Sequence, residues 1–178
     1  MKTLQEAREW YHAVRTRLLD MKQLAKKHWD HLPWGGDLGK EERFKNLEAS
    51  DLMQSADLAL SPIDDLAILV FFSVFEARVR DVLEKQVSSE VESLRHSSLK
   101  RVGQDLLDCI REGSFDLVMK PFKDRCPDLV EQVNQVRQYR NWVAHGRPEN
   151  RKPKETVDPE KAYQRLTAFL AKVEVVID

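Results

Sequence analysis

Apolar residues recur every three or four positions along most of this chain, the spacing that places them on one face of an α-helix. The first run begins at Leu4 and is predicted to end near His31, because Pro33 and Gly35–Gly36 follow. Its apolar face could belong to a bundle core, a coiled coil or a dimer, and the short heptad pattern favours the bundle core. The residues of this face are Leu4, Ala7, Tyr11, Val14, Leu18, Met21 and Ala25.

The middle of the chain carries its most apolar segment. A weaker amphipathic stretch over residues 44–56 precedes Ser61–Pro62, where a hydroxyl cap and a proline at the first helical position predict a helix start. The predicted helix is apolar nearly all round from Ile63 to about Val87, which is typical of the central helix of a bundle. Ser88–Ser89 is predicted to end it.

Helical patterns also fill the second half of the chain. Helical spacing continues over residues 91–110, and a short helical turn follows over residues 115–119. Pro127 opens a longer helix, and Gly146 stands just beyond its end, where a left-handed residue is expected. Asp158–Pro159 is predicted to start the last helix.

We therefore expect an all-α bundle of five to seven helices in one domain, 1–178, with residues 1–60 as an N-terminal helical extension and 61–178 as the core. The composition agrees, because 6 glycines and 7 prolines in 178 residues leave little turn chemistry for a many-stranded sheet. Apolar residues make up 42% of the chain and charged residues 33%, so a core and a solvated surface are both available. These values exclude a wholly disordered chain.

Charge and cysteine content narrow the functional classes. The 29 Lys and Arg residues against 30 Asp and Glu give a formal net charge of -1, so any contact with RNA or DNA must be local. Cys109 and Cys126 cannot form a disulfide framework, and His28 and His31 lack a second pair of metal ligands. The apolar run Leu66–Phe75 is roughly half the length of a membrane span. We expect a cytoplasmic protein with no membrane contact, no metal and no cofactor.

Two charged residues stand at apolar positions. Arg140 falls within the apolar stripe of the Pro127 helix, and Glu76 shares the face of Leu69, Phe72, Val79 and Leu83. A charge in such a stripe is costly unless it is paired, so we expect a contact between Glu76 and Arg140, direct or through one water. Three other arginines compete for Glu76, namely Arg78, Arg80 and Arg137. A buried ion pair that only sets helix register is the plainer alternative.

The end of the Pro127 helix carries a motif. Asn141 and His145 are four residues apart, so they stack one turn above the other on the flank of the stripe. The segment from Arg140 to Gly146, RNWVAHG, resembles the R-x4-6-H signature of the HEPN superfamily, in which an arginine and a polar residue precede a histidine at a helix end. Glu76, within FFSVFEARVRDVL, would supply the acidic residue on an upstream apolar helix. The resemblance covers residues 60–178.

This resemblance implies a dimeric helical bundle that acts as a metal-independent endoribonuclease, often a toxin or an antiviral defence component. Its implied partners are RNA, a second copy of the chain, and an antitoxin or regulatory protein. Arg140 and His145 would be catalytic, with Asn141 orienting the phosphate or the histidine ring and Glu76 holding Arg140.

The chemistry is physically reasonable. Cleavage without metal needs a base for the 2′-OH proton, a task for which histidine titrates at a suitable pH, and a cation such as the planar arginine fork for the phosphate. Arg140 and His145 lie about 7.5 Å apart along one helix axis, which suits two ends of one phosphodiester or residues from two subunits. The loop from Arg147 through Arg151 and Lys152 to Lys154 is a candidate backbone contact. A non-catalytic helical module that binds RNA or a partner protein is the alternative function.

Overall fold

The computed structural model describes residues 1–42 and 44–176, and within them the chain is all-helical, with no strands. This confirms the predicted all-α bundle. Short 3-10 turns connect several of the elements. The α-helices are α1 (Leu4–Lys27), α2 (Ala49–Ser93), α3 (Ser97–Glu112), α4 (Phe115–Met119), α5 (Pro127–Ala144) and α6 (Pro159–Val176).

Helix α1 begins where Thr3 caps it, since the Thr3 hydroxyl accepts a hydrogen bond from the Glu6 backbone N–H at 3.1 Å. Its predicted apolar face packs along α2, and Leu4, Ala7 and Tyr11 are buried in the main core. The first helix is therefore part of the bundle.

Helix α2 is one continuous helix of 45 residues, and this corrects two predictions. The expected start at Ser61–Pro62 is wrong, because the helix continues through Pro62. Side chains of α1 contact α2 on both sides of this proline. Lys22 pairs with Asp57 at 2.5 Å before it, and Tyr11 donates to Asp64 at 2.8 Å after it. The actual start is a capping box, in which the Glu48 backbone N–H donates to the Asp51 carboxylate at 3.0 Å. The boundary drawn at residue 60 thus falls inside α2.

The expected break at Ser88–Ser89 is also wrong. Two serines weaken a helix only slightly, and the packing of Val91 against Gly103 of α3 carries α2 on to Ser93. The chain turns instead at Leu94–His96. Packing against a neighbouring helix has overridden local propensity here.

Aromatic side chains of α2 form the centre of the core. Phe71, Phe72 and Phe75 are at most 1% exposed, and Phe75 meets Phe115 of α4 and Phe169 of α6 edge-on at centroid distances of 5.9 and 5.7 Å. Such edge-to-face pairs stabilise a core beyond the area they bury. The central helix is therefore covered by α1, α4, α5 and α6.

By length and composition alone, α2 is apolar enough to cross a membrane, since its best 18-residue window has a mean hydropathy of 1.9. One third of that window is buried inside the bundle. The central helix of a bundle passes the same test, and the aromatic side chains of this one form the core described above.

Candidate functional site

The candidate site lies at the end of α5, which starts at Pro127 as predicted. Val130, Val133 and Val136 are buried on its inner face. Arg137 fastens the helix to α4 through a two-pronged pair with Asp116, at 2.8 and 2.9 Å. Because this pair favours the ionised carboxylate, it lowers the pKa of Asp116. The buried valines and the pair with Asp116 thus fix the position of α5, whose last two turns carry the motif.

Arg140 is half-buried in the apolar stripe, as its position in the sequence predicts. Its guanidinium carbon lies 5.5 Å from the centre of the Phe72 ring, and its Nη1 donates to Asn141 Oδ1 at 2.9 Å. Its buried Nε has no hydrogen-bond partner within residues 1–42 and 44–176. Stacking on an aromatic face is a favourable setting for arginine.

The expected direct contact between Glu76 and Arg140 is wrong. Glu76 pairs instead with Arg80, four residues on along the same helix, at 2.6 Å. Arg80 also donates to the backbone oxygens of Ile110 at 2.5 Å and Gly113 at 3.1 Å. Carbonyls at a helix end lack partners within the helix, and the long arginine of α2 reaches them across the junction with α3. Glu76 therefore belongs, through Arg80, to the junction between α2 and α3.

Asn141 and His145 open onto a cleft of about 750 Å³ between α5 and the loop that precedes α6. One wall is a face of α5 and the other is the loop over residues 148–155. The lining residues are Glu131, Gln135, Gln138, Asn141, Trp142, His145, Pro148, Arg151, Lys152, Pro153, Lys154 and Glu155. The structure thus brings Asn141 and His145 to one cavity, and Arg140 reaches it through Asn141.

His145 is the exposed C-cap of α5, and its backbone N–H donates to the Asn141 carbonyl at 3.0 Å. No group in the described parts of the chain hydrogen-bonds its ring, so both nitrogens are open to a ligand. The orientation of the Asn141 amide follows from Arg140. A guanidinium only donates, so Oδ1 faces Arg140 and the amide NH₂ is left free to donate elsewhere.

The loop wall of the cleft is cationic. Arg151, Lys152 and Lys154 line it and are exposed. Glu155 does not cancel their charge, because its carboxylate accepts hydrogen bonds from Lys161 and from Arg165, the latter at 2.9 Å. These cations lower the pKa of Glu155. A ligand with phosphate groups therefore meets, on the loop beside His145, three cations that form no ion pair with the described residues.

Asp65 is a residue of the site that the sequence analysis missed. Its carboxylate accepts from the Tyr139 hydroxyl at 3.0 Å and also pairs with Arg147, and only 14% of its side chain is exposed. Tyr139 is buried, and this burial raises the pKa of its hydroxyl. The signal in the sequence is the pair Asp64–Asp65 on an otherwise apolar helix.

The turn after His145, formed by Gly146 and Arg147, has a left-handed backbone and is fixed by contacts of the Arg147 side chain. Gly146 has the predicted left-handed conformation, with φ of 77°, and Arg147 follows with φ of 59°. A non-glycine residue there is strained by roughly 1 kcal/mol. Arg147 is retained by Asp65 and by the Trp142 ring, whose centre is 5.2 Å from its guanidinium carbon. Arg147 thus faces away from the cleft, unlike the other three cations of the loop.

Within the described residues, no group of three or more His, Cys, Asp or Glu side chains could hold a metal ion. No protein-family model, no curated protein and no solved structure matches this chain.

Proposed function

We propose that this protein is a metal-independent endoribonuclease of the HEPN type, a toxin or antiviral defence component that works in the cytoplasm. One observation carries the proposal: Asn141 and His145 share one cation-lined cleft, and Arg140 stands directly behind Asn141. These are the three polar residues of the motif that resembles the superfamily.

The roles follow from the chemistry of RNA. His145 takes the proton of a 2′-OH, and the freed 2′-oxygen forms a bond to phosphorus while the bond to the 5′-oxygen breaks. The departing 5′-oxygen takes a proton from water. Asn141 donates its free amide hydrogens to a phosphate oxygen, and Arg140 supplies positive charge to the developing dianion. The products end in a 2′,3′-cyclic phosphate and a 5′-OH.

The loop cations bind the rest of the strand. Arg151, Lys152 and Lys154 neutralise neighbouring phosphates, so affinity for RNA should fall as salt rises, with a slope of roughly two to three in a logarithmic plot. The site is shallow on a single chain. We propose that two copies combine around one strand as a two-fold dimer with His145 near the axis, and that an antitoxin or regulatory protein covers this face.

A cleavage assay with matched histidine variants tests the proposal. The wild type, treated with chelator, should cut single-stranded RNA, and His145→Ala should lose at least about a hundredfold in rate. His96→Ala is the control, because His96 is an exposed histidine that makes no side-chain cap at the start of α3. Equal rates for the two variants would remove His145 from the mechanism.

One observation favours the non-catalytic alternative. The Arg140 guanidinium is engaged by Phe72 and Asn141, as a structural arginine would be. A binding module of this kind would hold RNA in the cleft through the loop cations and leave it intact. Gel-shift binding without cleavage, in which Lys152→Glu weakens binding and His145→Ala does not, would select this alternative.

A further inference from the structure

The outer flank of α3 is a row of exposed apolar side chains. Leu99, Val102 and Leu106 are 54%, 64% and 50% exposed, although they lie at helical spacing on one flank. Together with Val87 and Val91 of α2, and Leu94 of the turn between the helices, they line a groove of about 690 Å³. Single exposed leucines are ordinary, whereas a contiguous apolar surface of this kind marks an interaction site.

The hairpin of α2 and α3 has the form of half a four-helix bundle. Gly103 sits so close to α2 that an added Cβ would lie 2.4 Å from Val91 Cγ2, and Leu107 and Ile110 are buried beside it. Apart from α2, the main neighbour of α3 is the short α4. In the described structure no third helix covers the flank. A second hairpin of the same kind would complete a bundle.

The charges beside the flank are self-complementary. Arg101 is in the first half of α3, whereas Asp105 is in the second half, and both are exposed. Arg101 and Asp105 are four residues apart, so they share one edge of the helix. When two copies of α3 pack antiparallel about a point near Gly103, each Arg101 lies beside the Asp105 of the other copy. A parallel arrangement would oppose like charges.

We propose that this α2–α3 face is a self-association surface, on which a second copy of the chain packs with its α3 antiparallel. The surface is independent of the proposed nuclease function. Val91 is 26 residues beyond Asp65 on α2, and at the usual rise per residue this places it about 39 Å from Asp65, the residue that holds Arg147 in the turn after His145. A dimer formed here leaves the cleft open, and a second two-fold contact near His145 would extend it to an even-numbered assembly.

Sedimentation of purified protein tests the surface. The wild type should associate at micromolar concentration, and Val102→Glu should weaken that association roughly tenfold or more, because it buries a charge against apolar groups. Leu58→Glu is the matched control, since Leu58 is a 77% exposed leucine in the first half of α2. A monomeric wild type, or equal weakening by both variants, would overturn the proposal.

A charge exchange tests the antiparallel arrangement. Arg101→Glu and Asp105→Arg should each weaken association, because each places like charges opposite one another, and the double variant should recover it. Both positions are exposed in the monomer, so circular dichroism should show an unchanged fold for all three variants. Failure of the double variant to recover would refute this arrangement. The readout is mass alone, so loss of RNA cleavage in a different assay would leave this result untouched.

Discussion

Replacing Asp65 should lower both the stability of the fold and the rate of RNA cleavage, whereas replacing its neighbour Asp64 should lower stability alone. Replacing Asp65 with alanine leaves the Tyr139 hydroxyl, on a side chain only 7% exposed, without its acceptor. A buried unsatisfied hydroxyl costs about 1–3 kcal/mol. The lost pair with Arg147 adds at most about 1 kcal/mol, because half of the Arg147 side chain is in solvent. Together these give about 1–4 kcal/mol, or roughly 2–16 °C in melting temperature for a chain of this size.

The chain offers a matched control in the neighbouring carboxylate. Asp64→Ala removes the acceptor of Tyr11, whose side chain is likewise 7% exposed, so a similar loss of stability is expected. Only Asp65 holds the turn that carries His145. We expect Asp65→Ala to reduce RNA cleavage per folded molecule about tenfold, and Asp64→Ala to leave it unchanged.

Thermal denaturation and cleavage rates, both measured at a temperature where each variant is folded, check this expectation. A double-mutant cycle with Tyr139→Phe should show coupling of about 1 kcal/mol or more, because the two residues share one hydrogen bond. Equal cleavage by the Asp64 and Asp65 variants would refute the link between Asp65 and the turn. An unchanged melting temperature for Asp65→Ala would refute the energetic argument.

Four further variants follow from the contacts described above. His145→Ala should abolish cleavage and change the free energy of unfolding by less than about 0.5 kcal/mol, because the residue is an exposed cap; a large loss of stability would contradict this. Arg140→Ala should abolish cleavage and also cost about 1–2 kcal/mol, through its lost stacking on the core, which urea titration would measure. Glu76→Gln should cost about 1 kcal/mol and leave cleavage per folded molecule unchanged, since this residue lies in the α2–α3 joint; a selective loss of activity would count against that placement. Burial and the bond to Asp64 raise the pKa of Tyr11 to about 12, so folding keeps this hydroxyl protonated, and the wild type should lose stability as pH rises from about 10 to 12 by an amount that Tyr11→Phe does not show.

Much of the fold follows from local patterns. Pro127, Gly146 and Asp158 mark the ends of α5 and the start of α6 where expected, because caps and left-handed residues act over a few neighbouring positions. The predictions of a helix start at Pro62 and a helix end at Ser88 are wrong because long-range packing, and not local sequence, decides the structure at these two positions. Their helix is held by contacts with other helices, α1 beside Pro62 and α3 beside Ser88, and these contacts outweigh a local breaker.

For the candidate site, the face of each helix was predictable from the sequence, but the contacts between helices were not. The spacing of Asn141 and His145 placed them on one flank, and the structure puts both on one cleft. A helical wheel shows which face a residue occupies, but not which neighbouring helix meets it. Glu76 therefore pairs with Arg80 on its own helix. The carboxylate that contacts the two residues flanking the motif, Tyr139 and Arg147, is Asp65, eleven residues earlier on α2.

The most direct test of the proposed nuclease uses an RNA strand with a single 2′-deoxy nucleotide. The wild type, treated with chelator, is first used to map a cleavage position in the all-ribose strand, and the nucleotide whose 2′-OH would attack there is then made 2′-deoxy. The attack of a 2′-oxygen assisted by His145 predicts that cleavage stops at that position and continues elsewhere, with 2′,3′-cyclic phosphate ends throughout. Undiminished cutting at the 2′-deoxy position, or an all-ribose strand that stays intact, would contradict it.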